Sequence, residues 1–268
     1  VLAELRAIPI NTLFVQSILC RHVDGQIYAD DPREPHALYA VHPYGMALLW
    51  GRRGGEPWLE WLRDHLLAAT HHAEWLQVYP NTWSDPVEAV LRDRLVAEGS
   101  PEDLAGEALK CRRVNFAFDR DAYLRERVHV AAAMARATIV PATEEMFSRF
   151  EGSVVPKRFW RTATQFVDQG GGFGAIVDRE LGALAFCSYR HGTQLEIGIE
   201  TVPRHRGKGH ARLVACALID DCLRRGVEPV WACRLENVAS YKLAIKLGFV
   251  PGAHVPYYRL PRVATRDP

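Results

Sequence analysis

In this 268-residue chain, the residue types and spacing that promise chemistry are concentrated in Arg204-His205-Arg206-Gly207-Lys208-Gly209. Gly207 and Gly209 let the backbone turn sharply and let a ligand approach without meeting a Cβ. The residues that follow read as the start of a helix, where N–H groups are unpaired and the dipole is positive. Such a terminus is an anion site, and phosphate is its usual occupant. Arg204, Arg206 and Lys208 surround it with positive charge, and His205 and His210 stand beside them. Immediately upstream, LEIGIETV alternates like a β-strand, and Pro203 ends it. Glu196 and Glu200 lie four apart on that strand and so face one side together with Gly198. They are carboxylates able to accept a proton, or else ion-paired or solvent-facing strand residues.

Those residues need elements to position them, and the second half of the chain supplies a clear order. Ala137 to Val140 reads as a strand, followed by helices at 143–150 and 157–169. Strands at 173–177, 181–189 and 194–202 are joined by connections short enough for hairpins, so they form an antiparallel meander. The helix after Gly209 sets Ala211, Val214, Leu218 and Cys222 on one face. PVWAC at 229–233 is a buried-type strand, Asn237 caps the next helix, and a last pair of strands follows Phe249 around Pro256. The first half is less explicit. It reads as short helices over 1–24, a loop over 25–35, a strand–turn–strand over 36–50, helices at 58–69 and 86–95, and strands at 74–79 and 111–118. The fold class is α/β (α+β). No internal repeat is visible in the sequence.

The order β-β-β-(RxxGxG)-α-β-α-β resembles the GCN5-related N-acetyltransferases. Arg204 to Gly209 matches their R/Q-x-x-G-x-G/A signature. Asn237-Val238-Ala239-Ser240 with Lys246-Leu247-Gly248-Phe249 matches their second, N-x-x-S/A followed by K-x-G-F. The resemblance covers roughly residues 127–268. An N-terminal α/β region, 1–126, precedes it, as in two-part members of the superfamily, and is expected to be a degenerate half of the same kind with an acceptor-site or structural role. The resemblance implies a mixed sheet splayed at an acetyl-CoA site. Backbone N–H groups from Arg206 to Ala211 hold the pyrophosphate there. The edge of Ile199, Thr201 and Val202 pairs with the pantetheine amides, and Asn237 and Ser240 touch the arm from the other side. It implies transfer of an acetyl group to a primary amine by direct attack in a ternary complex, with Glu196 the first choice of base and Glu200 the second. The acceptor is expected to be a small molecule, although a protein amine also fits. One departure stands out. The tyrosine that many members use to protonate the leaving thiolate is Ala244 here, and Tyr241 faces another direction, about 300° round at ~100° per residue. That favours, as an alternative, a non-catalytic acyl-CoA-binding module. S-acyl transfer or acyl-CoA decarboxylation would use the same pocket. Tyr257 and Tyr258 are other candidate proton donors or else core residues or acceptor-site walls, and Cys233 reads as a buried strand thiol.

Composition narrows the partners. The formal net charge is +1, with 48% hydrophobic and 24% charged residues, so no global field draws the chain to nucleic acid or an acidic membrane. No apolar run is long enough to span a bilayer. Six cysteines without a CxxC pair suit free thiols in a reducing compartment, and VLAELRAIPINTLF lacks the layout of a secretion signal. A cytoplasmic protein is therefore expected, its oligomeric state open. His71-His72 before Glu74 lacks the i, i+4 spacing of a metal site, so no metal is expected. Trp58, Trp61, Trp75 and Trp83 are core residues or the walls of an acceptor pocket between the halves.

Overall fold

The computed structural model describes residues 1–69, 73–96 and 106–261. Its centre is one mixed sheet. The strands are β1 (Gln26–Ala29), β2 (Ala37–Val41), β3 (Met46–Gly51), β4 (Trp75–Tyr79), β5 (Leu95–Val96), β6 (Ala108–Phe118), β7 (Thr138–Pro141), β8 (Gly172–Val177), β9 (Glu180–His191), β10 (Gln194–Thr201), β11 (Glu228–Arg234) and β12 (Phe249–Arg259). They run in the order β1-β2-β3-β4-β12-β6-β11-β10-β9-β8-β7, with the short β5 beside β6. The meander expected over 173–202 is β8-β9-β10. Its first turn is set by Asp178 and Arg179, both at positive φ (52° and 68°), the handedness that matches strand twist in a two-residue hairpin.

The two halves of the chain repeat one plan. In the first, the β2–β3 hairpin leads through helix Glu56–Leu67 to β4, parallel to β3, and then through helix Ser84–Leu91. In the second, the β9–β10 hairpin leads through helix His210–Arg224 to β11, parallel to β10, and then through helix Val238–Lys246. Each half then sends its last long strand into the other. β6 pairs β11, β12 pairs β4, and the two pair each other antiparallel at the centre. The division expected between 126 and 127 falls inside helix Arg120–Val128, and the sheet runs unbroken through both regions.

Helices cover both faces. Trp58, Leu62 and Leu66 of one helix and Val87 and Leu91 of another bury against Tyr39, Leu49, Val78 and Tyr258. Of the expected stripe on helix His210–Arg224, Val214, Leu218 and Cys222 are buried and Ala211 is half-buried, and the helix packs on β8, β9 and β10. The N-terminal helix Leu13–Leu19 is buried along Leu13 to Ile18 and lies against β9, β2 and β3, so it ties the halves together.

Three local expectations differ. The last pair of strands is one strand, β12, whose register slips between Pro251 and His254, so the prolines bend the strand without ending it. The loop expected over 25–35 contains β1. The helix expected over 157–169 is a 3-10 turn, a short α-turn and a π-turn ending at Gly170.

Candidate active site

β10 and β11 are paired at Gln194–Glu228, Leu195–Pro229 and Glu196–Val230, and no further. Beyond that point β10 stays with β9 through Thr201, while β11 stays with β6 through Arg234. A gap opens between them, with one unpaired edge of β10 along it. It belongs to a cavity of about 970 Å³. The equivalent strands of the first half, β3 and β4, stay paired from Met46–Trp75 to Trp50–Tyr79, so that half has no gap.

At the outer end of the cavity, Gly209 sits at φ +88° and precedes helix His210–Arg224, with no side chain capping the helix. Gly207 is at φ +76°, and a Cβ built on either glycine would meet no atom within 4 Å. The turn is therefore open to a ligand. In its counterpart before helix Glu56–Leu67, a Cβ on Gly54 would stand 2.6 Å from the Trp58 ring, while one on the N-cap Gly55 would meet only Pro57 Cδ at 3.9 Å. Buried His205 adds a ring nitrogen, Nδ1, with no hydrogen-bond partner. An uncapped terminus, a cradle without a Cβ and an orphaned ring nitrogen suit the pyrophosphate of a coenzyme A thioester.

Of the residues expected to bind that ligand, Ile199, Thr201, Arg206, Gly207, Gly209, His210, Ala211, Asn237 and Ser240 line the cavity. Val202, Arg204 and Lys208 do not. The Val202 N–H donates to the Gly182 carbonyl at 2.9 Å, and Arg204 pairs with Glu180. Arg206 reaches back to the Thr201 carbonyl (3.0 Å) and to Glu200 (3.1 Å). Asn237 accepts from the Ser240 N–H at 3.1 Å, which caps its helix, and Ser240 Oγ accepts from Trp231 Nε1 at 3.2 Å.

The two candidate carboxylates lie in different surroundings. Glu200 is saturated. Its Oε2 accepts from Ser153 N (3.0 Å), Ser153 Oγ (3.0 Å) and Val154 N (3.2 Å), and its Oε1 from Thr201 N and Arg206. Glu196 stands where the gap begins and is buried. Its Oε1 accepts from Asn11 Nδ2 at 2.6 Å and lies 3.8 Å from Arg113, while its Oε2 has no partner. Burial pushes its pKa above the ordinary glutamate value, against the opposing pull of Arg113 and Asn11. Glu200→Ala is therefore expected to act on stability. Unmatched buried donors cost roughly 1–3 kcal/mol, and thermal unfolding of the variant should show a melting temperature lowered by several degrees.

Sequence reasoning missed Asn11 and Arg113. Asn11 is held by its own backbone N–H, which donates to Asn115 Oδ1 at 2.8 Å on β6. Arg113 comes from the same strand. The inner wall of the cavity also takes Tyr44, Met46 and Trp75 from the first half and Tyr257 from β12. Trp75 stacks on Tyr257 with centroids 5.2 Å apart and carries the Arg234 guanidinium 4.5 Å above its ring. Trp58 and Trp83 are core residues.

Ala244 is fully buried and lies outside the cavity. The Tyr241 ring packs against Phe116, and the Tyr258 hydroxyl donates to Glu88 at 2.7 Å. Burial raises the pKa of Tyr257, which therefore holds its proton firmly. Cys233 lines the cavity, and burial raises its thiol pKa too. Among the described residues no group of three or more His, Cys, Asp or Glu is placed to hold a metal, and His71 and His72 lie outside them. No described helix is long and apolar enough to cross a membrane.

Comparison with known proteins gives matches over nearly the whole chain. Residues 6–258 match the family model described as GNAT acetyltransferase. The uncharacterized N-acetyltransferase YdfB of Bacillus subtilis is 22% identical over 241 residues, 88% of this chain and 85% of its own. A GCN5-related N-acetyltransferase-like protein from Streptococcus suis superposes with a TM-score of 0.70 at 20% identity, covering 97% of this chain and 96% of its own. A conserved protein of unknown function from Staphylococcus epidermidis reaches 0.52 at 10% identity, over 92% and 98%.

Proposed function

The chain belongs to the GNAT acetyltransferase family, and on that premise we propose that it moves an acetyl group from acetyl-CoA to a primary amine of a small molecule. The observation that carries this reading is the end of the β10–β11 ladder at Glu196–Val230, directly inward of the uncapped glycine turn. Acetyl-CoA would supply an activated acetyl thioester. The N–H groups around Gly207 to Ala211 hold its diphosphate. The free edge of β10 from Ile199 to Thr201 orients its pantetheine arm, and Asn237 and Ser240 close the other side. Val202, Arg204 and Lys208 stand outside this contact set.

Glu196 is the base. An amine arrives protonated at neutral pH, and Oε2, which lacks a partner, accepts its proton. Asn11 holds the other oxygen still. A buried carboxylate with a raised pKa is better matched to that task than an exposed one. Glu200 fixes the 153–154 loop and Arg206, so it shapes the site without exchanging protons with the acceptor. Transfer is direct, because Cys233 is held as a thiol and has no activating base at hydrogen-bond distance among the contacts described.

The test is release of free thiol from acetyl-CoA across a panel of amines, with mass detection of the product. Thiol and acetylated amine should appear together. Coenzyme binding with no turnover on any amine would instead indicate a non-catalytic acyl-CoA-binding module, the reading favoured by the buried Ala244.

A further inference from the structure

We propose that the acceptor is a zwitterion, an amine carrying a carboxylate one or two carbons from its nitrogen, seated between Glu196 and Arg113. The proposal rests on the acetyl-transfer reading and names the class of its substrate. Two residues that line the same cavity each hold an orphaned buried polar atom, and the two atoms are of opposite kind: Glu196 Oε2, an acceptor, and Arg113 Nε, a donor. Both residues are more than nine-tenths buried, at 6% and 7% exposure. Arg113 Nη2 and Glu196 Oε1 form an ion pair at 3.8 Å, too long for a hydrogen bond, and it leaves Nε and Oε2 unmatched. Native structures rarely leave a buried donor and a buried acceptor unmatched unless something else completes them.

An ammonium donating to Glu196 Oε2 and a carboxylate accepting from Arg113 Nε would match both atoms at once. A small amino acid carries both groups on one short backbone. Charge points the same way. A plain ammonium entering beside Arg113 meets a like charge, whereas a zwitterion brings its own counter-ion. The Arg113 guanidinium is also fixed over the Tyr257 ring at 5.4 Å, which limits the ways it can turn to meet Glu196. Arg234, stacked on Trp75, adds a second guanidinium on the wall where the carboxylate would lie.

The experiment uses the full chain with acetyl-CoA. The acceptors are the twenty proteinogenic amino acids and β-alanine, each against its primary amide, and ethylamine as an amine with no anion. For the best acceptor, kcat/KM should be at least tenfold higher for the free acid than for its amide. Arg113→Gln should bring that ratio close to one, and Arg113→Lys should restore part of it. Should either variant fail to fold, the acid-to-amide ratio of the parent protein decides alone. Amides or ethylamine acetylated as well as the acids would overturn the proposal. Calorimetry separates its failure from failure of the acetyl-transfer reading. No binding of acetyl-CoA would remove the transfer reading only. Binding of a free acid but not its amide would still support the zwitterion site, and binding of no acid at millimolar concentration would overturn it.

Discussion

Glu196→Gln is expected to lower kcat/KM for acetyl transfer by about 10²–10⁴-fold, the range over which a positioned base contributes. The affinity for acetyl-CoA should stay within a few-fold of the parent's, because the residue sits at the inner end of the gap, away from the glycine turn. The amide keeps the shape of the side chain and can still accept from Asn11, so the loss isolates proton transfer. The pH profile gives a second signature. Activity of the parent should fall on the acid side with a midpoint above the ordinary glutamate value, since burial raises this pKa. The variant should lack that limb. Stability carries the matching sign. The folded state holds the Glu196 proton more tightly than the unfolded chain does. The contribution of this residue is therefore fully present below the unfolded value and is lost as pH rises toward the folded one. Denaturant titrations across that window should show a slope in the parent that the variant has lost. Equal turnover and an unchanged acid limb in Glu196→Gln would remove this residue from the mechanism.

Gly209→Ala is expected to weaken acetyl-CoA binding at least tenfold, which corresponds to about 1.4 kcal/mol. The reason is conformational and local. Gly209 holds φ +88°, where a side chain costs about 1–2 kcal/mol, and its empty surroundings are the space a diphosphate would occupy. A Cβ there would touch no protein atom within 4 Å, so a clash inside the fold cannot account for the loss. Isothermal titration with acetyl-CoA and with a coenzyme fragment lacking the diphosphate separates the effects. The first should lose affinity and the second should not. Full affinity for acetyl-CoA in the variant would place the diphosphate elsewhere.

Much of this site was legible because its parts are local. A glycine turn, a helix start, an alternating strand and an asparagine cap each depend on a few consecutive residues, and all fell close to their expected places. What stayed hidden depends on pairing across long distances. Nothing in Ile10-Asn11-Thr12 marks Asn11 as the donor that fixes Glu196, 185 positions away. Nothing in Arg112-Arg113 marks either arginine for burial, yet Arg113 is buried in β6, which lies between β11 and β12. The repeat was invisible for a related reason. The halves share an order of elements, while their side chains have diverged to the point where Trp58 crowds Gly54 in one turn and nothing would meet a Cβ on Gly207 in the other. Pro251 and Pro256 disguised β12 as two strands, since local rules treat proline as an interruption and a bulge can absorb it.

The crossed final strands also set the order in which a nascent chain can mature. β6 leaves the ribosome about 140 residues before β12. Until β12 arrives, β4 and β6 each present a bare row of amides and carbonyls. Exposed rows of that kind invite association with other chains. Closing a contact so distant in sequence is slow by its topology. β12, the last described strand to be synthesised, is thus the keystone of the middle of the sheet, and it brings Tyr257 to the cavity wall as it locks the two halves together.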